Sequence, residues 1–160
     1  MPPAGYIAKI YGRRQDKPLK PRQERLMREL LPRVAAPDPA AGPLGLGAIF
    51  PQADDIELEI GFGGGEHLAA QRPGAGFIGA EPFVNGVAKL LVRIEDEGLD
   101  NVRVHFGDAR PLMEALPDAS LSRLYVLHPD PWPKKRHLKR RMISPWFFEE
   151  AARLVRPGGE

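Results

Sequence analysis

Residues 127–141 read Leu-His-Pro-Asp-Pro-Trp-Pro-Lys-Lys-Arg-His-Leu-Lys-Arg-Arg, a run in which nearly every side chain could do chemistry. Pro129, Pro131 and Pro133 fix the backbone on either side of Asp130 and Trp132, so both side chains are held where the preceding segment delivers them. Six of the eight residues from 134 to 141 are Lys or Arg, with His137 among them. Such a density repels itself unless it meets repeated anionic groups, and the backbone of RNA or DNA supplies those. On a plain surface helix the same run is only a solvated face. His128 suits a packed loop position better than acid or base work. Trp132 suits either stacking on a base or packing.

A second group is Glu59-Ile-Gly61-Phe-Gly63-Gly64-Gly65-Glu66. Counting G-x-G-x-x-G from Gly61 requires a glycine where Glu66 stands, and no Gly-Lys-Ser/Thr follows, so neither a dinucleotide fingerprint nor a P-loop is present. Two carboxylates flanking the turn repel a pyrophosphate. They suit a ligand with sulfonium and ammonium groups that still needs close backbone approach at Gly61 and Gly63, and S-adenosyl-L-methionine has both charges. Glu81 closes the next apolar run, about 20 residues on, where an acidic side chain can accept from both ribose hydroxyls. Asp108 closes the third, where it can accept the adenine amino group while Ala109 offers its backbone N–H. Each feature has a plainer explanation, a tight turn for the glycines and a helix cap for a lone acidic residue. Three acidic residues in register at successive segment ends favour a ligand.

The composition narrows the class. The chain has 160 residues, 42% hydrophobic, which is one ordinary domain with a real core. No cysteine is present and the four histidines show no ligand spacing, so no metal is expected. No stretch is long and uncharged enough to span a membrane, and the first residues lack the apolar run of a signal peptide, so a soluble, cytoplasmic protein is expected. A net charge of +2 implies little by itself; its concentration in residues 134–141 carries the argument.

The elements that must position these groups alternate between periods of 2 and 3.6. Strands are predicted over 56–60, 76–80, 102–106 and 121–127, with helices from about Glu66 and from Val84 to about Glu97. Ser144 and Pro145 form an N-cap and first-turn pair opening a last helix that ends at Arg-Pro-Gly-Gly. This is an α/β domain, a parallel sheet with helices on both faces and its ligands beyond the carboxyl ends of the strands. Residues 1–22 read as a basic, proline-rich extended or mobile arm, 22–31 as a short helix on Leu26, Met27, Leu30 and Leu31 that Pro32 keeps from continuing far, and 37–55 as a connection over the surface. The expected division is 1–53 for arm, helix and linker and 54–160 for the core.

Through LEIGFGGG (58–65), FIGAEPF (77–83), NVRVHFGDA (101–109) and above all PDPWPKKRHLKRR (129–141), the chain resembles the bacterial tRNA (guanine-N7)-methyltransferase family. The likeness runs from about Tyr11 to Glu160, loosely in the arm, and Pro133 stands where the family often has histidine. It implies the Rossmann-like class I methyltransferase sheet, S-adenosyl-L-methionine as cofactor and tRNA as partner. It also implies cofactor contacts from Glu59, Glu81, Asp108 and Asp130, so the expected cofactor set is Glu59, Gly61, Gly63, Glu81, Asp108, Ala109, Leu127 and Asp130. Asp130 is implied as the catalytic residue, Lys134 as a substrate contact, and Arg136, His137, Lys139, Arg140 and Arg141 as RNA contacts. The family continues past Arg-Pro-Gly-Gly-Glu into further strands, so C-terminal strands are expected to be missing. A strand at 121–127 would then be an exposed edge, able to pair two chains as a homodimer.

Guanine N7 carries a free lone pair, so its methylation needs no proton removed, and positioning by Asp130 is expected to matter more than acid–base work. Two other functions share these residues: a domain that binds cofactor or RNA without turnover, and a methyltransferase for a protein or small molecule. The basic run argues against the latter.

Overall fold

Four parallel strands form one sheet in the computed structural model, which describes residues 14–69 and 73–160. They are β1 (Asp55–Ile60), β2 (Ala75–Glu81), β3 (Val102–Phe106) and β4 (Arg123–Tyr125), in the order β3-β2-β1-β4. β1 pairs with β2 from Asp55–Ala75 to Ile60–Ala80 and, on its other side, with β4 from Glu57–Arg123 to Glu59–Tyr125. The chain winds outward through β2 and β3 and then returns to lay β4 beside β1. The crevice beyond the carboxyl ends of β1 and β4, where the winding reverses, is where open parallel sheets bind ligands.

Alternation along the strands explains the layers. Ile56, Leu58 and Ile60 of β1, with Ile78 and Ala80 of β2, face α6 (Ala109–Ala115) and α7 (Pro145–Leu154), whose Leu112, Met113, Phe147 and Leu154 complete that core. The opposite face presents Ala75 and Phe77 of β2 with Val102 and Val104 of β3. It is covered by α1 (Pro21–Glu29), α2 (Leu31–Val34), α4 (Glu66–Ala69) and α5 (Val84–Glu97). α5 gives this face its Val87, Leu90, Leu91 and Ile94 and stops at Gly98, whose left-handed φ of 62° lets its N–H reach the Ile94 carbonyl.

The structure adds detail to one segment's sequence reading and departs from two others. Pro32 ends the hydrogen-bond ladder of α1 but does not end helix, because α2 restarts with that proline in its first turn, where the missing N–H is harmless. The connection 37–55 follows the surface, yet Leu44 and Phe50 are buried in the core and α3 (Leu46–Ile49) forms between them, since one short loop with two large apolar residues gains by inserting both. The strand expected over 121–127 is only three residues long: Leu121 bridges Val155 instead, and beyond Tyr125 the backbone leaves the ladder on its way to Pro129. Glu160 lies along the outer side of this strand, accepting from the Leu124 N–H at 2.9 Å and donating to the Ser122 carbonyl at 3.0 Å.

Of the basic arm, residues 1–13 lie outside the described part. Its end is tied to the start of α5: the Val84 N–H donates to the Arg14 carbonyl at 2.7 Å, and Asn85 bonds both Asp16 and Lys17. α1 is joined to α5 through Arg22 and Arg25 on Glu95 and Asp96, pairs exposed enough to contribute little to stability. Among the described residues no helix is long and apolar enough to cross a membrane.

Candidate cofactor and nucleic-acid site

The turn after β1 is shaped by three glycines in the left-handed region, Gly61 (φ 71°), Gly63 (φ 57°) and Gly65 (φ 78°). Side chains with a Cβ are strained there. The Gly61 N–H donates to the Ala80 carbonyl at 2.8 Å and the Gly65 N–H to the Phe62 carbonyl at 2.9 Å, so the loop folds back over the end of β2. A Cβ on Gly61 or Gly63 would meet nothing within 4 Å, which leaves this backbone open on its outer side.

Glu81 at the end of β2 locks the loop from below. Its Oε2 accepts from the Gly63 N–H at 2.9 Å and its Oε1 from the Phe83 N–H at 3.1 Å. Burial pushes its carboxyl above the ordinary glutamate range, the two amide bonds pull it down, and the Asp130 charge adds to the rise. Glu59, buried at the end of β1, takes His67 of α4 at 2.8 Å between Oε2 and Nδ1, and the His67 ring meets Tyr125 edge-on at 4.6 Å.

Asp108 follows β3 and caps α6. Its Oδ1 accepts from the Arg110 N–H at 3.0 Å and its Oδ2 from the Arg110 guanidinium at 2.8 Å. The plain cap role is therefore met, and a carboxylate has lone pairs left for a further donor. His105 sits behind it with Nε2 2.9 Å from the Asp108 carbonyl oxygen, and burial holds its imidazole below the ordinary histidine range.

All of Glu59, Gly61, Gly63, Glu81, Asp108, Ala109, Leu127 and Asp130 line one cavity of about 480 Å³ at the carboxyl end of the sheet. The basic run divides. Lys134, Arg136 and Lys139 are exposed around a 3-10 turn (Lys135–Arg140), while Arg140 lines the cavity and places its guanidinium 5.1 Å from the Trp132 ring centre. His137 meets that indole edge-on at 5.6 Å; burial and the neighbouring Arg140, Arg136 and Lys134 hold it below the ordinary histidine range. Arg141 is turned inward onto the Trp132 carbonyl. Among the described residues no group of three His, Cys, Asp or Glu side chains could hold a metal ion.

Sequence reasoning missed His67, Arg110 and Gly86. Gly86 had a signal, a glycine two residues into an otherwise good helix, and its reason is close approach: a Cβ there would stand 2.3 Å from the Gly63 carbonyl oxygen. His67 and Arg110 had none, since their roles depend on where α4 and α6 start.

Residues 53–160 match the family model described as a putative methyltransferase. A tRNA (guanine-N(7)-)-methyltransferase of Caulobacter sp. (strain K31) is 51% identical over 151 residues, covering 92% of this chain and 66% of that protein. One from Nitrobacter winogradskyi is 50% identical, covering 94% and 60%, and one from Novosphingobium aromaticivorans 49%, covering 96% and 67%. The chain thus spans about two thirds or less of the length of the curated relatives it matches. The 16S rRNA methyltransferase KamB superposes with a TM-score of 0.52 at 24% identity over 71% of this chain and 54% of that one, which shows a shared fold. Sheet order, glycine loop and sequence agree: the chain belongs to the putative methyltransferase family whose members include the tRNA (guanine-N7)-methyltransferases.

Proposed function

We propose that this protein transfers a methyl group from S-adenosyl-L-methionine to N7 of a guanine in tRNA, in the cytoplasm. The observation that carries the reading is the convergence of Glu59 and Glu81 from the ends of β1 and β2, Asp108 from just after β3 and Asp130 from the loop that follows β4 on one cavity, which Arg140 of the basic segment also lines. The cavity has the size of an ordinary cofactor site. The open backbone at Gly61 and Gly63 admits close approach, Glu59 offers negative charge to a cation, Glu81 retains lone pairs for ribose hydroxyls, and Asp108 with Ala109 offers an acceptor and a donor to an adenine edge.

Bound there, S-adenosyl-L-methionine supplies an electrophilic methyl group on a sulfonium. With the cofactor held by Glu59, Glu81 and Asp108, the guanine N7 lone pair would take that methyl group as the sulfur–carbon bond breaks, and the positive charge would pass to the base. No proton leaves N7, so the chain need supply no base. Its own residues position: Asp130 accepts from the guanine N–H edge, and Lys134, Arg136, Lys139 and Arg140 take phosphates. Holding two reactants in line is worth about 7 kcal/mol or more.

Calorimetric titration with S-adenosyl-L-methionine, beside the Glu81→Ala variant, tests the cofactor half. One-site binding that the variant loses while still melting cooperatively supports it; no binding by the wild type sinks it. Incubation with tRNA and the labelled cofactor, followed by nucleoside analysis, tests the substrate half, and label in protein or small molecules but not in 7-methylguanosine overturns it.

A further inference from the structure

Arg141 closes the basic run, and by sequence it belongs with the RNA contacts. Its guanidinium is committed elsewhere. Nε donates to the Trp132 carbonyl oxygen at 3.1 Å and Nη2 to the same oxygen at 2.9 Å, with the Pro133 carbonyl at 3.5 Å. Lys139 and Arg136, by contrast, are exposed.

The bond falls where the loop needs holding. Trp132 has φ 36°, one of two non-glycine residues at positive φ among the described residues. A bulky side chain does not hold that conformation unaided. Pro131 and Pro133 restrict the chain on either side, but neither has an N–H to anchor it. A planar fork donating twice to one carbonyl fixes that peptide's direction, and lysine cannot reproduce the fork. The indole so oriented lies 5.1 Å from the Arg140 guanidinium and meets the His137 ring edge-on, and Asp130 sits two residues before it on the cavity wall.

We propose that Arg141 is a positioning residue: it holds Trp132 in its left-handed conformation, and through it the Asp130 loop against the cavity, and it does not contact RNA phosphate. The proposal deepens the RNA-methylation reading and rests on it for its salt arm only.

The test uses the whole chain in a Trp146→Phe background, so that Trp132 is the reporting tryptophan. Affinity for fluorescently labelled tRNA is measured against salt, and acrylamide quenching reports the exposure of Trp132. Lys139→Gln should flatten the plot of log affinity on log salt by up to about one unit, as loss of a phosphate contact does. Arg141→Gln should leave that slope unchanged and raise the quenching of Trp132 by a factor of about two or more, as a solvent-freed indole shows. Arg141→Lys keeps the charge and discriminates even if the glutamine variant fails to fold: positioning predicts raised quenching with an unchanged slope, phosphate contact predicts neither change. A slope flattened as in Lys139→Gln, or quenching unchanged in both Arg141 variants, overturns the proposal. A wild-type slope of zero sinks the RNA reading instead, and leaves the Trp132 measurement to decide Arg141.

Discussion

The Glu81 carboxylate accepts the amide hydrogen of Gly63 at 2.9 Å, so the last residue of β2 holds the glycine loop that follows β1. One side chain thereby joins two strand ends and faces the cavity they share. Burial raises its carboxyl above the ordinary glutamate range, against the two amide bonds and with the help of Asp130. A carboxyl raised in the folded state favours its protonated form: that contribution to stability is present below the unfolded pKa and is lost as pH rises through the folded one. The ionised form is the one that accepts from two hydroxyls. Affinity for S-adenosyl-L-methionine should therefore fall on acidification at a pH above the ordinary glutamate range, and Asp130→Asn should move the midpoint down. Titrations across pH check this; affinity flat until the ordinary range is reached would refute it.

Gly86 and Gly98 both belong to the α5 region and should respond differently to alanine. At Gly86 the new methyl would stand 2.3 Å from a backbone oxygen of Gly63, and backbone cannot swing aside. Gly86→Ala should cost about 1–3 kcal/mol and weaken the cofactor, because the helix must retreat from the loop. Gly98 has φ 62° and open space around it, so Gly98→Ala should cost about 1 kcal/mol by strain alone and leave cofactor affinity intact. Denaturant melts with paired titrations separate the two; equal losses of affinity would show that the Gly63 contact is unimportant.

The last helix offers a smaller test. The Ser144 hydroxyl accepts from the Phe147 N–H at 3.3 Å at the start of α7, and Phe147 is part of the core. Ser144→Ala should lower stability by about 1 kcal/mol without touching cofactor affinity. A stability change below a few tenths in a denaturant melt would mean that water caps this end equally well.

These cases show what the sequence makes legible and what it does not. Ser144-Pro145, the alternation in Ile56–Ile60 and the glycine run are local signals with local causes, and the cavity lining follows because each strand's last residues reach the same edge of a parallel sheet. The failures are where partners from distant elements decide. Three residues of β4 survive from a seven-residue apolar run because Val155 claims Leu121. Leu44 and Phe50 look like linker residues until a core is there to receive them. Arg141 reads as one more cation in a run, and only the fold turns it toward Trp132.

Asp130 supplies the sharpest test of mechanism. It is exposed on the cavity wall, at the carboxyl side of β4, with nothing in the chemistry of N7 methylation requiring it to take a proton. If it positions the base, Asp130→Asn keeps one acceptor but turns the other into a donor that opposes the guanine N–H edge. Misplacement of that kind should lower kcat by about 100-fold. The loss should be the same factor across the neutral range, since no proton transfer is removed. A general base would behave otherwise: the wild-type rate would rise with pH through a carboxyl or histidine titration, and the variant would lack that limb. Single-turnover rates of wild type and variant against pH distinguish the two, and an ascending limb found only in the wild type would make Asp130 a base after all.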